Sequence, residues 1–550
     1  MTGICSLSWA QGADGRAGTW QVTPRISVGA TYSDNINLAP ADAAQEDVVL
    51  QVDPGISVRK RGGRLDLRLD YTAQGLMYAN NSDANKVNNL LQTFGTAELI
   101  EQNLFLDAYG SISQVPIDSS GRTDVGGLGL GGGTSSGLAL FNNIDFGLPG
   151  AAELFGPTGI FSNLALTDNQ ATAHRFGISP YWRQNIGGWT EALLRYRYDN
   201  IFYDEEDRTN DQQIERQTSL SDSQIHTVEV NLASGRRFST FEWNIDYFYQ
   251  QEKQDGGEVI NATDDGDDRR ENVVGQLNYR LNQYWALSAK VGYENNQVVD
   301  FEESRNGTYW GLGAIWSPNR FLELRGLYGP DFNELAVRWN PSIRTLLEVR
   351  RRDQDVGVDP GVRWEGTFSH RTRRTTWSAS YTDEVTNNQQ LFGSDLLGVG
   401  PDGQPLPLDE QGQVVISEGP FGSGNQNFRR KRFDGGMTYR RGPSGFWVNV
   451  FNEDRESQDP ASDESNYGAN ALWTWRLVPR TALFLGAGWG HDDLSEDQQN
   501  DYWVSVVGLA RVFTANSGGL ISYRYYQNDA ESAERGFREN RLNIRYSMKF

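Results

Sequence analysis

The chain has 550 residues, with 72 acidic against 50 basic side chains and a formal net charge of −22. That balance disfavours nucleic acid as a partner, because a phosphate backbone needs clustered Lys and Arg. Only 37% of residues are hydrophobic, yet 12% are aromatic and 60 are Gly, too few apolar side chains for several compact soluble cores and too many aromatic ones for disorder.

A transmembrane β-barrel reconciles these numbers, since one face of each strand meets lipid and the other a wet lumen. No apolar run is long enough for a helical span, which needs roughly eighteen residues. The mean hydropathy of −0.60 is compatible, because a barrel signals by alternation.

At the start, Met1–Ala10 ends in the small-x-small pattern Ser8-Trp9-Ala10 before Gln11, which reads as the tail of a secretory signal peptide. Cys5, the one cysteine, is then expected outside the mature protein. A lipoprotein reading of Cys5 lacks an apolar segment before it. Residues 11–18 read as a short periplasmic segment, and 19–550 as a single barrel. With the first strand starting near Trp20, no plug of the chain's own is expected ahead of it.

From there alternation runs to the end. It is visible in Leu65–Tyr71, Ala192–Tyr198, Phe241–Tyr247 and Val273–Leu281, where side chains of opposite character face opposite sides of a strand. Short turns are expected at Lys60–Arg64, Glu101–Asn103, Asn185–Gly188, Ser234–Ser239, Asn282–Tyr284 and Ser317–Arg320. Five more are expected at Asn340–Arg344, His370–Arg374, Arg440–Gly445, Val478–Arg480 and Ala515–Gly518. Between them lie longer acidic connections such as Asp204–Ser221, Gln251–Arg269, Asn452–Ser465 and His491–Asp501, and two longest ones, 116–168 and 387–426. Outer-membrane barrels have short periplasmic turns and long external loops. The fold expected is therefore an all-β, antiparallel, up-and-down transmembrane barrel of about 24 strands, within 22 to 26.

The short turns are rich in Arg, as at Arg236, Arg237, Arg371, Arg373, Arg374, Arg440 and Arg441. Trp182, Trp189, Trp285, Trp316, Trp339, Trp377, Trp447 and Trp475 lie beside them and read as the periplasmic aromatic girdle. In 116–168, Gly126–Gly133 is nearly all Gly and Leu, and Leu138–Phe161 is apolar and nearly uncharged. Such a segment is expected to pack inward and close a wide lumen. In the last strand, Leu542, Ile544, Tyr546, Met548 and Phe550 share one face. Tyr546, Met548 and the terminal Phe550 resemble the signal read by the barrel-assembly machinery of Gram-negative bacteria.

Catalytic chemistry finds no support in the pattern. His174, His226, His370 and His491 are scattered without metal-ligand spacing. His491-Asp-Asp493 has no matching nucleophile turn and reads as a solvated loop. Gly126–Gly133 lacks the Lys of a phosphate loop. Asp264–Asp268 has calcium-like ligands but not the EF-hand spacing. No enzyme, cofactor or metal is expected. The lumen-facing candidates are Arg68, Arg195, Arg197, Arg280, Arg325 and Arg350, with Asp66, Asp70, Asp246, Glu323 and Glu348 on the same face. They suit either cross-strand pairing or a hydrated wall for a polar polymer.

The block Pro24–Leu38, followed by Val52-Asp-Pro-Gly-Ile56 and Leu69-Asp-Tyr71, resembles the outer-membrane proteins associated with the exosortase (PEP-CTERM) system. Trp316-Ser-Pro-Asn-Arg320, Trp339-Asn-Pro-Ser-Ile-Arg344 and Phe550 carry the same resemblance. It implies an exopolysaccharide locus and no catalytic residues. The expected function is a conduit or scaffold for exopolysaccharide export in the bacterial outer membrane, with a general porin for small polar solutes as the alternative. Expected partners are outer-membrane lipid and lipopolysaccharide, the barrel-assembly machinery, and periplasmic polysaccharide export proteins or a separate plug protein.

Overall fold

The computed structural model describes residues 20–115, 148, 151, 154, 171–204, 222–255, 268–298, 304–387, 390, 427–457, 463–493, 499–531 and 536–550. The expectations for residues 1–19, for Gly126–Gly133 and for most of 116–168 and 387–426 fall outside these.

The alternating segments become 24 strands. They begin with β1 (Trp20–Ser33), β2 (Asp47–Lys60), β3 (Leu65–Tyr78), β4 (Lys86–Ile100), β5 (Leu104–Val115), β6 (Ala171–Ile186), β7 (Thr190–Tyr203) and β8 (Asp222–Ser234). Next come β9 (Phe241–Asp255), β10 (Asp268–Arg280), β11 (Trp285–Glu294), β12 (Gly307–Asn319), β13 (Leu322–Tyr328), β14 (Phe332–Ser342), β15 (Thr345–Gln354) and β16 (Gly361–Arg371). The last eight are β17 (Thr375–Thr386), β18 (Phe428–Arg441), β19 (Ser444–Glu456), β20 (Glu464–Val478), β21 (Thr481–Asp493), β22 (Gln499–Thr514), β23 (Ser517–Ala530) and β24 (Phe537–Lys549).

Each strand pairs antiparallel with its sequence neighbours, and β24 pairs with β1 from Arg25↔Lys549 to Ser33↔Arg541. That closure removes the sheet edge, so every wall residue can hydrogen-bond within the sheet, as lipid requires. All eleven expected short turns join an even strand to the following odd one. In five of them, ending at Ile100, Asn319, Ser342, Val478 and Thr514, the strands run past a register shift into the turn.

The external connections differ from expectation. Gln251–Asp255, Asn452–Glu456, His491–Asp493 and Gln499–Asp501 belong to strands. Their acidic residues resemble loop by composition, yet their backbones stay in the ladder. His491 pairs with Asp501, its Nδ1 3.0 Å from the carboxylate, so it is a strand residue rather than a solvated loop. The β13–β14 connection is Gly329–Asp331 alone, and β11 and β13 to β16 are short, so the wall is low there.

Strand β22 marks the membrane. Its outward Trp503 and Phe513 are 51% and 45% exposed and lie ten residues apart. At about 3.4 Å per residue and a tilt near 40°, that separates them by about 25 Å along the membrane normal, the height of an outer-membrane apolar band. Trp189, Trp285, Trp316, Trp339, Trp377 and Trp475 are exposed beside the short turns, and Trp182 is half-buried on the same face. Trp447 departs from the girdle reading. Its strand parity turns it into the lumen, where it is buried with Phe451 and Leu472. A closed, even-numbered, up-and-down barrel with an apolar exterior between aromatic rings is an integral protein of the bacterial outer membrane.

This arrangement puts the short turns in the periplasm. Single cysteines at Arg373 and Asp42, both on exposed connections at opposite ends, test it on intact cells with a membrane-impermeant maleimide. Position 42 is expected to label and position 373 to stay unlabelled. The reverse pattern would invert the topology.

Candidate functional site: a divided lumen

Alternation sends every second side chain inward, and the inward faces fall into three regions. On β18 to β20 and β23 to β24, charges are buried in dense networks. Glu453 accepts hydrogen bonds from Arg430 (3.1 Å), Arg432 (2.6 Å) and Arg455 (2.7 Å), and Arg432 also donates twice to Asp434. Glu539 accepts from Arg524, Arg541 and the Ser33 hydroxyl. Arg545 pairs with Asp53 across the β24–β1 closure.

The second region is an apolar patch, against the expectation of polar inner faces throughout. Phe484 on β21, Val504, Val506 and Val512 on β22, and Leu520 on β23 face inward and are buried. Phe484 lies over Gly508, where a Cβ would sit 2.1 Å from its ring, so the ring packs flat on the wall only because that position is Gly. Leu148, Ala151 and Leu154 are buried in the same contiguous cluster. Their neighbours in the chain are β5 and β6, well around the barrel from β21 to β23. Part of 116–168 therefore lies inside the lumen.

The third region is wet. On β9 to β16 three inward charge pairs stay exposed, Arg280 with Glu242 (2.9 Å), Arg338 with Glu348 (2.9 Å) and Arg350 with Glu365 (3.2 Å), while Lys290 and Glu334 (3.2 Å) form a buried pair on β11 and β14. The Arg338 side chain is 59% exposed. Glu323 and Arg325 line two adjoining cavities, one with Arg350, Glu348 and Glu365, the other with Arg280 and Glu242.

Above this chamber, on the external side, the lumen is roofed. Arg270 on β10 donates to the Val385 carbonyl (2.9 Å) and to Asn427 (3.1 Å), at the tops of β17 and β18. Asn387 and Gln390 donate to Glu252 on β9 (3.0 and 2.8 Å), and Asn427 donates to Asp268 (2.6 Å). Glu252 is 1% and Asn387 0% exposed. Strands seven and eight positions apart around the barrel thus clasp across the low wall. The β11–β12 and β15–β16 connections add an arch, bridged at Arg305↔Gly357 over Tyr309, Leu327, Phe332 and Val356.

The six Arg candidates all lie on inward faces, in two groups. Arg280, Arg325 and Arg350 share the wet chamber. Arg68 pairs with Asp70 (3.0 Å), Arg197 with Glu229 (3.4 Å), and Arg195 lies 4.8 Å over the Tyr181 ring, all on the other side. The roof residues Glu252, Asp268 and Arg270 were not among the candidates, because their partners lie more than a hundred residues away. The cationic run Arg429-Arg-Lys-Arg432 is a signal that strand parity could have turned inward at Arg430 and Arg432.

At the seam, Tyr546 stacks 6.1 Å from Phe513, its hydroxyl approaches the Met548 sulfur at 3.9 Å, and the Phe550 N–H donates to the Pro24 carbonyl (2.9 Å). Deleting Phe550, or Phe550→Asp, is expected to remove most of the protein from the outer-membrane fraction. Unchanged surface levels by immunoblot would refute its role in assembly.

No protein-family model and no curated protein matches the sequence. Among solved structures the chain is similar to the siderophore receptor PirA from Pseudomonas aeruginosa, at 8% identity and TM-score 0.43, over 97% of this chain and 81% of that one. It is similar to the ferric enterobactin receptor PfeA from the same organism at 9% identity and TM-score 0.46, over 97% and 81%. It is also similar to the FrpB iron transporter from Neisseria meningitidis at 11% identity and TM-score 0.43, over 97% and 83%.

Proposed function

We propose that this outer-membrane barrel is a gated conduit, or the barrel scaffold of one, for exopolysaccharide export in an exosortase-type locus. The observation that carries the reading is the wet chamber along β9 to β16, roofed externally by the buried clasp. Its half-exposed Arg–Glu pairs offer donors and acceptors that a hydroxylated polymer can exchange with water at little cost, since such exposed pairs contribute only about 0–1 kcal/mol. A general porin needs a permanently open axial path, and the roof argues for gating instead. The resemblance of Pro24–Leu38 and of the Trp316 and Trp339 turns to exosortase-associated barrels supports the locus.

The periplasmic rim presents exposed Arg236, Arg237, Arg371, Arg373, Arg374, Arg440 and Arg441, a surface suited to an acidic periplasmic export protein. The test is a clean deletion of this gene in its own host. Loss of released polysaccharide, with periplasmic accumulation and restoration by the wild-type copy, is the expected result. Unchanged polysaccharide, together with free sugar flux into liposomes holding the purified protein, would favour the porin.

A further inference from the structure

The apolar belt is not equally tall all round the barrel. On β22 its limits, Phe513 and Trp503, stand about 25 Å apart along the membrane normal, and on β3 every outward residue from Leu65 to Met77 is uncharged, over about 31 Å. On β12 the girdle Trp316 and the upper Trp310 are only six residues apart. On β13, Leu322 pairs with the girdle Trp339, and Tyr328 lies six residues above it, beneath the Gly329–Asp331 turn. On β16, Trp364 lies six residues above His370, which pairs with the girdle Trp377. Six residues rise about 16 Å at the same tilt, roughly 10 Å less than on β22. Strand β13 has seven residues in all, so no choice of rotamer restores the missing height.

Charge occupies the height that the belt gives up. Three outward ion pairs stand there: Arg351 with Asp353 on β15 (3.0 Å), Arg429 of β18 with Asp383 of β17 (2.8 Å), and Lys431 of β18 with Glu456 of β19. Above Trp310, Tyr328 and Trp364, Val362 is the one exposed large apolar side chain on the strands from β12 to β18. A hydrocarbon layer as tall here as at β22 would cover the ion pairs, and charges on the lipid face of a barrel destabilise it increasingly with depth. Adapting the bilayer to a short wall costs little per ångström. The girdle and the Arg-rich turns hold the periplasmic edge, so the outer leaflet is the one that yields. Trp310, Tyr328 and Trp364 are 47%, 76% and 45% exposed and mark its lowered interface, the depth that Trp and Tyr favour.

We propose that the outward face of β12 to β18 is a lipid-interaction surface that draws the outer leaflet down by about 10 Å and sets lipid headgroups against its ion pairs. Headgroups and their water fit this strip better than a second protein. Each of its three cations already has an acid within reach, and a zwitterionic layer carries both signs. The same strands β12 to β16 wall the wet chamber on their inward side, so the chamber stands behind the thinned patch. The proposal is independent of the polysaccharide reading, since its test uses lipid alone.

The test compares two outward positions at equal height above the girdle in the full-length protein with Cys5→Ser. Tyr328→Cys reports the low belt, and Val507→Cys, six residues above Phe513 on β22, reports the tall one. Each cysteine carries a nitrobenzoxadiazole fluorophore, and heat-modifiable gel migration confirms a folded barrel. Proteoliposomes of dioleoylphosphatidylcholine contain lipid spin-labelled either at the headgroup or deep in the acyl chain. At 328 the headgroup label is expected to quench at least three-fold more strongly than the chain label, and at 507 the order is expected to reverse. Trp310→Cys reads the same height on β12 and replaces Tyr328→Cys should that variant fail to assemble. Stronger quenching by the chain label at both heights would overturn the proposal, because the leaflet would then be as thick at the low belt as at β22. Loss of quenching by either label at 328, with chemical cross-linking to a dimer, would overturn it too, since a second copy would then cover the wall.

Discussion

Glu453→Ala is expected to destabilise the barrel by about 3–5 kcal/mol, the cost of breaking a buried ion network by removing one partner. Glu453 is 1% exposed and accepts from three guanidiniums on β18 and β19. Without it Arg430 keeps Glu384, Arg432 keeps Asp434 and Arg455 keeps Glu464. Three cations would still crowd a dry site with one carboxylate fewer. Glu348→Ala is the matched control. It breaks the Arg338 pair, whose side chains are 59% and 46% exposed, and such pairs are worth about 0–1 kcal/mol. Urea unfolding in detergent micelles, followed by tryptophan fluorescence, measures both. Equal shifts for the two variants would mean that the buried network does not hold the β18–β19 wall.

The features legible in the sequence were those set by local chemistry. Leu542, Ile544 and Tyr546 alternate with Arg541, Asn543 and Arg545, and the structure makes them the two faces of β24. Lys60–Arg64 and Val478–Arg480 read as turns because Gly, Pro and Arg interrupt the alternation, and turns they are. Misreadings arose where one residue type serves two environments. Asp454 and Glu456 look like loop, but they stand on the outward face of β19 beyond the apolar band, where acid meets water while the backbone stays paired. Trp447 lies beside a short turn like the girdle tryptophans, yet its parity turns it inward, and position near a turn does not report parity. Strand β22 is apolar on both faces, so alternation is silent there about which side carries a covering segment. The clasp was out of reach for a different reason. Glu252 and Asn387 are 135 residues apart, and nothing local to either strand encodes their meeting.

Removing Val125–Phe161 is expected to raise single-channel conductance in planar bilayers several-fold and to sensitise cells to large antibiotics. Barrels of about 16–18 strands already hold an aqueous channel, so a 24-stranded wall must be filled to stay tight. The filling is partly visible. Phe484, Val504, Val506, Val512 and Leu520 form an apolar inner wall, and Leu148, Ala151 and Leu154 are buried in the same cluster. Bare, that wall would present water with a contiguous apolar surface of the kind that marks a contact site, so covering it stabilises the segment inside. Two substitutions separate this packing from mere chain length. Leu148→Asp with Leu154→Asp keeps every residue but places charge in an apolar site, where an unpaired carboxylate is strongly disfavoured. The segment is then expected to leave the wall and conductance to rise as in the deletion. If both variants assemble normally, yet conduct and exclude antibiotics like the parent, the block lies in 387–426 or in a separate plug protein.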